Sequence, residues 1–511
     1  MTRPDTRVVR ADTRVVRADT RVVRVADCLT AALERDREHE ALVTRGGRWT
    51  YAQLDDLGAR AAQVWLDLGV RAGDRVAVSL PNEVDIIAAF HGAMRVGAVW
   101  VGVNQALAAP EQAYLREDSG ASCFLADGAV AGATATISLD EWRSRVDAAT
   151  PARDLPEVDP DAPAALAYTS GTTGRPKGAI HSQRNLLLPA AVVSATRNYG
   201  TDLRKGDNMP CTILNLMVLT TLLAAAAGGT TVLMDQSYAQ GVAEWIEREQ
   251  VTVWNGSPAL LHSLTHADDV APAALRSLRE VWSGGAALPE VLRRHFAERF
   301  GVPVVGTYGL TEAPTIVSID PVDGSFVPGA SGRVLPHLDL QVGAQGELCL
   351  AAASSGPFAG AYCPPLGYWQ RPEASAELCA GGVLHTGDIG FVDDDGWLHV
   401  LDRLNLVIVR GGANVYPAEV ERVLLAIDGV AGCAVLGLAD ERLGERVVAA
   451  VEFDAGASIT DEELAEHCGR ELAKYKVPER FVVFAALPRN AMGKVDRTAL
   501  RAQFPEEGAP R

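Results

Sequence analysis

Apolar residues recur at helical spacing from Tyr51 to Leu68 and again from Glu83 to Arg95. Around them stand short apolar runs, Arg75-Val-Ala-Val-Ser-Leu80 and Ala98-Val-Trp-Val101. Spacing of three and four residues marks one buried face of a helix, whereas a short apolar run bounded by turn residues marks a buried strand. The alternation continues through Gly301-Val-Pro-Val-Val305. Strands separated by helices predict an α/β fold of mostly parallel sheets covered by helices.

The stretch from Met209 to Met234 holds no charged residue and has to be weighed as a membrane span. Pro210, Asn215, several threonines and the pair Gly228-Gly229 interrupt it. A buried helix from about Leu214 to Ala227, a glycine turn and a buried strand, Thr230 to Met234, fit the pattern better, so no membrane span is expected. Pro151 to Pro163 is rich in proline and aspartate and reads as a loop before the next strand. From about Gly332 the texture changes to short strands punctuated by turns: Asp339 to Val342, Gly346 to Leu350, Gly390 to Val392 and Gly396 to Leu401. These predict a smaller β-rich subdomain. After about residue 405 comes a compact α/β tail, opening with a helix at Pro417 to Ile427 and closing with Lys494 in a loop.

Length and charge narrow the picture. A chain of 511 residues exceeds one ordinary core. Hydrophobic residues at 48% and charged residues at 22% are ordinary for a globular protein. The net charge is −18, from 65 acidic and 47 basic residues, which argues against a nucleic-acid partner. An anionic substrate therefore needs cations placed locally. Residues 5 to 25 repeat DTRVVRA with a period of seven, and residues 1–27 hold seven arginines and four aspartates, leaving the remainder at −21. Three arginine-rich heptads are too few for a coiled coil, and a disordered or loosely helical tail is expected. The eight cysteines show no CxxC spacing and no Cys/His grouping along the chain, so free thiols in a reducing cytoplasm are expected.

The most informative segment is Tyr168-Thr-Ser-Gly-Thr-Thr-Gly-Arg-Pro-Lys-Gly178, which follows the apolar run Ala164 to Ala167. Gly171 and Gly174 allow backbone N–H groups to approach phosphate oxygens; Thr169, Ser170, Thr172 and Thr173 add hydroxyl donors; Lys177 adds charge. Together they make a triphosphate cradle, and not a Walker A loop, because Lys177 lies between Pro176 and Gly178. Here the sequence resembles the adenylate-forming superfamily of acyl-CoA synthetases, adenylation domains and luciferases, from about Ala26 to Phe504, and is most like a stand-alone acyl-CoA or aryl-CoA ligase.

The resemblance implies a large N-terminal domain of two helix-covered, mostly parallel sheets plus the β-rich subdomain (26–402), a hinge (403–406), and a small mobile α/β C-terminal domain (407–511). Further motifs follow in the family's order. Ser283-Gly-Gly-Ala-Ala-Leu288 implies an adenine-binding turn at Gly284, Gly285 and Ala286. Thr307-Tyr-Gly-Leu-Thr-Glu312 implies a purine stacked on Tyr308 beside Thr307 and Gly309, an α-phosphate contact from Thr311, and a hard oxygen ligand for Mg²⁺ from Glu312. His385-Thr-Gly-Asp388 and Arg403 correspond to the ribose-binding aspartate and its arginine. Lys494, in Leu487-Pro-Arg-Asn-Ala-Met-Gly-Lys494, corresponds to the catalytic lysine, and Gly411, Gly412 and Ala413 to the loop lining the coenzyme A tunnel. ATP, Mg²⁺ and coenzyme A are the implied cofactors, and the protein is expected as a monomer or homodimer.

Two departures stand out. The hinge reads Arg403-Leu-Asn405-Leu406, with Asn405 at the pivot and Leu406 in place of the usual acid. The acyl-pocket stretch, Met209-Pro-Cys-Thr-Ile-Leu-Asn215-Leu-Met217, lacks the common aromatic and histidine, and no aspartate matches the one that holds an α-amino group in amino-acid adenylation. An aliphatic or aryl acid is therefore the expected small-molecule substrate. Transfer to a carrier-protein phosphopantetheine, or adenylation of a small inorganic acid such as nitrite for diazotisation of an aryl amine, are the alternatives.

Overall fold

The computed structural model describes residues 24–127, 136–155, 157–169, 175–285, 288–440, 442–490 and 494–504. Most of the heptad repeat, Ser170 to Gly174 of the phosphate loop, and Ala286 lie outside the described residues. Among the described residues the strands fall into four sheets.

A nine-stranded sheet runs in the order Arg333–Val334, Ser318–Ile319, Val304–Tyr308, Glu280–Gly284, Val253–Asn255, Arg204–Asp207, Thr230–Leu233, Glu40–Thr44, Gly47–Thr50. Its six central strands are parallel and its edges antiparallel. A six-stranded sheet holds Thr136–Ser138, Cys123–Ala126, Arg75–Ser79, Val99–Gly102, Pro163–Thr169 and Lys177–Ser182, parallel but for the last pair. The expected runs thus become strands, and Tyr51–Asp67 and Val84–Val96 become the expected helices. The first of these starts where Thr50 and Gln53 close a capping box, each satisfying a backbone N–H of the other end.

The two sheets share one core. Val76, Trp100 and Leu125 from one sheet pack in the same cluster as Leu42, Leu233 and Trp282 from the other. Trp100 meets Phe90 edge to face, with ring centroids 5.3 Å apart, the arrangement favoured by the ring quadrupoles. The uncharged stretch after Met209 is a buried helical segment, Leu214–Leu216 and Leu223–Ala227 joined by a π-helical turn at Met217–Leu222. Within it Thr221 Oγ1 donates to Met217 O at 2.7 Å, a side-chain bond that competes with the regular ladder. Among the described residues no helix is long and apolar enough to cross a membrane.

A four-stranded antiparallel sheet, Leu338–Val342, Glu347–Ala352, Leu384–Val392 and Leu398–Arg403, forms the β-rich unit. Arg333–Val334, which the change of texture at Gly332 places in that unit, instead edges the nine-stranded sheet. The fourth sheet contains Ala413–Val415, Ile408–Arg410, Gly444–Phe453, Val430–Asp440 and Arg480–Phe484, with a core on each face. Asp402 stitches it to the body. Its carboxylate accepts from Ala418 N at 2.6 Å, in the first turn of Pro417–Leu424, and from Arg403 N at 2.7 Å; burial pushes its pKa up to about 6.

A Cβ on Gly102 would lie 1.9 Å from Thr212 O, a backbone atom that can withdraw only by moving the segment after Met209. Gly102→Ala should therefore cost about 3 kcal/mol, read from the urea-unfolding midpoint. His91, His181 and His337 are buried, and burial lowers their pKa values to about 3, 4 and 3. The unfolded chain then takes up protons below about pH 6.5 while the folded one does not, so stability falls with acidification, by up to about 1.4 kcal/mol per pH unit per histidine. His337→Gln should show a smaller drop in melting temperature between pH 7 and pH 5 than the unmodified protein; parallel profiles would contradict the assignment.

Candidate active site

Parallel strands direct their C-terminal ends to one edge of the sheet, and ligands of such sheets gather there. Glu280–Gly284 and Val304–Tyr308 are neighbours in register, Gly284 opposite Thr307. They deliver the Ser283-Gly284-Gly285 turn and Tyr308 side by side. A Cβ on Gly284 would stand 2.1 Å from Thr307 Oγ1, which itself donates to Ser283 O at 3.3 Å, so the turn must be bare backbone. Gly285 has φ +77°, which its missing side chain permits. Gly309 is crowded by Thr315 O, 1.5 Å from any added Cβ.

The β-rich unit brings the next groups. Antiparallel pairing sets Asp388 opposite Arg403, and the side chains form an ion pair at 2.6 Å. Tyr308 OH donates to the other oxygen of Asp388 at 2.5 Å. Burial raises the Asp388 pKa, against the pull of Arg403 and the Tyr308 hydroxyl. Burial raises that of Tyr308 as well, with the Asp388 charge adding to it. The turn carrying Asp388 is itself held: Glu347 accepts from His385 Nδ1 at 2.9 Å and from Gly387 N at 3.1 Å, and Thr386 Oγ1 donates to Leu348 O at 2.7 Å. Cys349, without a histidine partner along the chain, lies 3.6 Å from His385 Nδ1 because the register sets the two residues opposite each other.

Lys494 arrives from the C-terminal unit. The residue as a whole is exposed, yet its Nζ reaches within 3.9 Å of the Cβ position at Gly285. Desolvation lowers the pKa of that amine, the Arg403 charge lowers it further, and Asp388 opposes both. Gly411 and Gly412 form the turn between Ile408–Arg410 and Ala413–Val415, with Ala413 opening the second strand; Gly411 N donates to Leu443 O at 2.7 Å, within the same unit. Asn405 falls in the single 3-10 turn Leu404–Leu406 between the two units.

Glu312 lies near enough to Asp388 that its charge adds to the rise of the Asp388 pKa. It is buried, and its Oε1 accepts from Tyr368 OH at 2.7 Å. Among the described residues Oε2 accepts no hydrogen bond, and a buried carboxylate with one oxygen fixed and one open suits a hard divalent cation such as Mg²⁺. Lys177 Nζ lies 5.3 Å from the Tyr368 ring centroid, and Thr169 pairs with Lys177 across the hairpin. Thr311 is fixed through its carbonyl, which accepts from His181 Nε2 at 2.8 Å, while His181 Nδ1 takes Asn185 Nδ2 at 3.2 Å. Both contacts fit a neutral imidazole, and burial brings its pKa down to about 4.

Gly284, Gly285, Thr307, Tyr308, Asp388, Arg403 and Lys494 thus converge, with Thr311, Glu312, Lys177 and Thr169 along the adjoining wall. Tyr368, His181 and Glu347 are additions that motif reading did not find. The aromatic pair Tyr368-Trp369 after Gly367 was the available signal; its contact with Glu312 depends on backbone bonds that lay residues 366–369 along the Lys177–Ser182 strand.

Residues 29–355 match the AMP-binding enzyme family, and residues 419–494 its C-terminal domain. The chain is 34% identical over 482 residues to the long-chain-fatty-acid–CoA ligase FadD13 of Mycobacterium tuberculosis, covering 89% of this chain and 93% of that one. It is 34% identical over 491 residues to a feruloyl-CoA synthase of Amycolatopsis, covering 91% and 96%. The crystal structure of ATP-bound MatB from Rhodopseudomonas palustris superposes with a TM-score of 0.85 at 28% identity, covering 93% of this chain and 98% of that one. The chain belongs to the AMP-binding enzyme family, the adenylate-forming acyl- and aryl-CoA ligases.

Proposed function

We propose that the protein adenylates a carboxylic acid with ATP and transfers the acyl group to coenzyme A. The observation that carries this reading is the arrival of Lys494 at Gly285, beside Asp388 and Arg403. A carboxylate is already ionised at neutral pH, so the task is to make its carbon electrophilic. Its oxygen attacks the α-phosphorus, pyrophosphate leaves, and the acid becomes a mixed anhydride with AMP. Lys494 then serves as the fixed cation that bridges the attacking carboxylate and the α-phosphate, where negative charge concentrates in the transition state. In this reading Tyr308 stacks on the adenine over Gly284 to Ala286, Asp388 takes the ribose hydroxyls, and Arg403 contacts the ribose and phosphate side. Thr311 donates to the α-phosphate; Thr169 to Gly174, with Lys177, receive the β- and γ-phosphates. Mg²⁺ carried with the nucleotide would be held by Glu312 and would offset phosphate charge.

For the second step the thiolate of coenzyme A attacks the acyl carbon and AMP leaves. Gly411, Gly412 and Ala413 are the residues for the pantetheine arm, after the C-terminal unit pivots at 403–406 about Asn405. Uncharged residues from Met209 to Met217 support an acid with an apolar body. The relatives' names, a fatty-acid ligase and a feruloyl-CoA synthase, support the aliphatic and aryl classes alike.

Pyrophosphate release over a panel of aliphatic and aryl acids, with coenzyme A consumption as the second readout, tests the reading. Pyrophosphate without coenzyme A consumption would favour a carrier thiol, and release only with nitrite and an aryl amine would favour diazotisation. Lys494→Ala should slow acyl-AMP formation by about 10²–10³-fold while largely sparing thioester formation from supplied acyl-AMP. Equal loss of both half-reactions would contradict the role given to Lys494. Tyr368→Phe frees Glu312 and should raise the Mg²⁺ concentration for half-maximal rate by about tenfold, measured by metal titration at saturating ATP.

A further inference from the structure

Asp118 occupies an unfavourable place for a carboxylate. It is the next-to-last residue of the Ala109–Ser119 helix, where the helix dipole repels negative charge, and its side chain is only 9% exposed. Three contacts to the carboxylate compensate, and a fourth holds the backbone carbonyl. Arg371 Nη2 pairs with Oδ1 at 2.6 Å, and Tyr114 OH donates to the same oxygen at 3.2 Å. Tyr168 OH donates to Oδ2 at 2.9 Å, and Trp369 Nε1 donates to the Asp118 carbonyl at 3.0 Å.

These partners belong to the hairpin that carries Thr169 and Lys177 and to the segment that carries Tyr368. Tyr168 precedes Thr169 on one arm, and its ring lies over Gly178 of the other, where an added Cβ would come within 3.2 Å of Cζ. The single Tyr114 hydroxyl proton is shared between Asp118 Oδ1 and Pro176 O, 2.9 Å away and just before Lys177. Trp369 and Arg371 follow closely on Tyr368, the residue that fixes Glu312. Asp118 therefore joins the lysine-bearing hairpin to the support of Glu312, although it has no contact with Lys177 or Glu312 themselves.

We infer that Asp118 is a positioning residue for the nucleotide triphosphate, setting Lys177 and Thr169 at a fixed distance from Glu312. This rests on the reading that the cleft takes ATP. None of the four partners of Asp118 belongs to the Met209–Met217 stretch proposed for the acid, so the two substrates should respond differently. A residue that merely supported the fold would lower the fraction of active enzyme and leave both KM values alone.

Steady-state kinetics with ATP and acid varied in turn tests the inference. Asp118→Ala should raise the ATP KM by about tenfold and leave the acid KM within about twofold. Tyr168→Phe removes one hydroxyl without unpairing Arg371, keeps the test open if Asp118→Ala does not fold, and should raise the ATP KM by about threefold. Equilibrium titration of ATP onto the unmodified protein runs alongside. If ATP binds the unmodified protein and the variants alike, the role of Asp118 is overturned and the adenylation reading stands. A parallel rise in both KM values overturns it as well. If ATP does not bind the unmodified protein, both fall.

Discussion

The ion pair between Asp388 and Arg403 is the contact on which the rest of the cleft turns. Register sets the two residues opposite each other at the end of the β-rich unit, and Tyr308 from the nine-stranded sheet closes on the same carboxylate. One buried acid thus ties two sheets together. Arg403 is also the last residue of its strand before the turn that leads to the unit carrying Lys494.

A chain with a net charge of −18 has to solve a local problem in order to hold a polyanion. Burying ionised groups is costly unless each one is paired and hydrogen-bonded. Here tyrosines meet much of that cost: Tyr308 donates to Asp388 and Tyr368 to Glu312. Their hydroxyls satisfy one carboxylate oxygen without adding charge. Arg403, paired with Asp388, and Lys494 lie close enough to repel each other. In the proposed function, a bound phosphate anion would relieve that repulsion.

The junction between units is narrow. Asp402 links the last strand of the body to the first turn of Pro417–Leu424, and only the turn Leu404–Leu406 intervenes before the next strand. The turn itself, Leu404-Asn405-Leu406, carries no charged residue. The buried Asp402 supplies a carboxylate three residues before Asn405, at the body's own edge.

Much of this was open to sequence reasoning because it depends on local rules. Apolar periodicity set the alternation of strands and helices, and the glycine–threonine loop with its following lysine pointed to a triphosphate. The spaced motifs ending in Asp388, Arg403 and Lys494 named the family. Pairing across distance was not legible. Nothing near Glu312 in the chain announces Tyr368, and nothing near Lys177 announces Asp118, because those contacts arise where separate segments are laid side by side by backbone hydrogen bonds. The assignment of Arg333–Val334 to the large sheet, the winding of Met217–Leu222 as a π turn, and the approach of Cys349 to His385 were decided in the same way. Local composition determines what each segment can be; register and burial, which are properties of pairs of segments, determine which side chains meet.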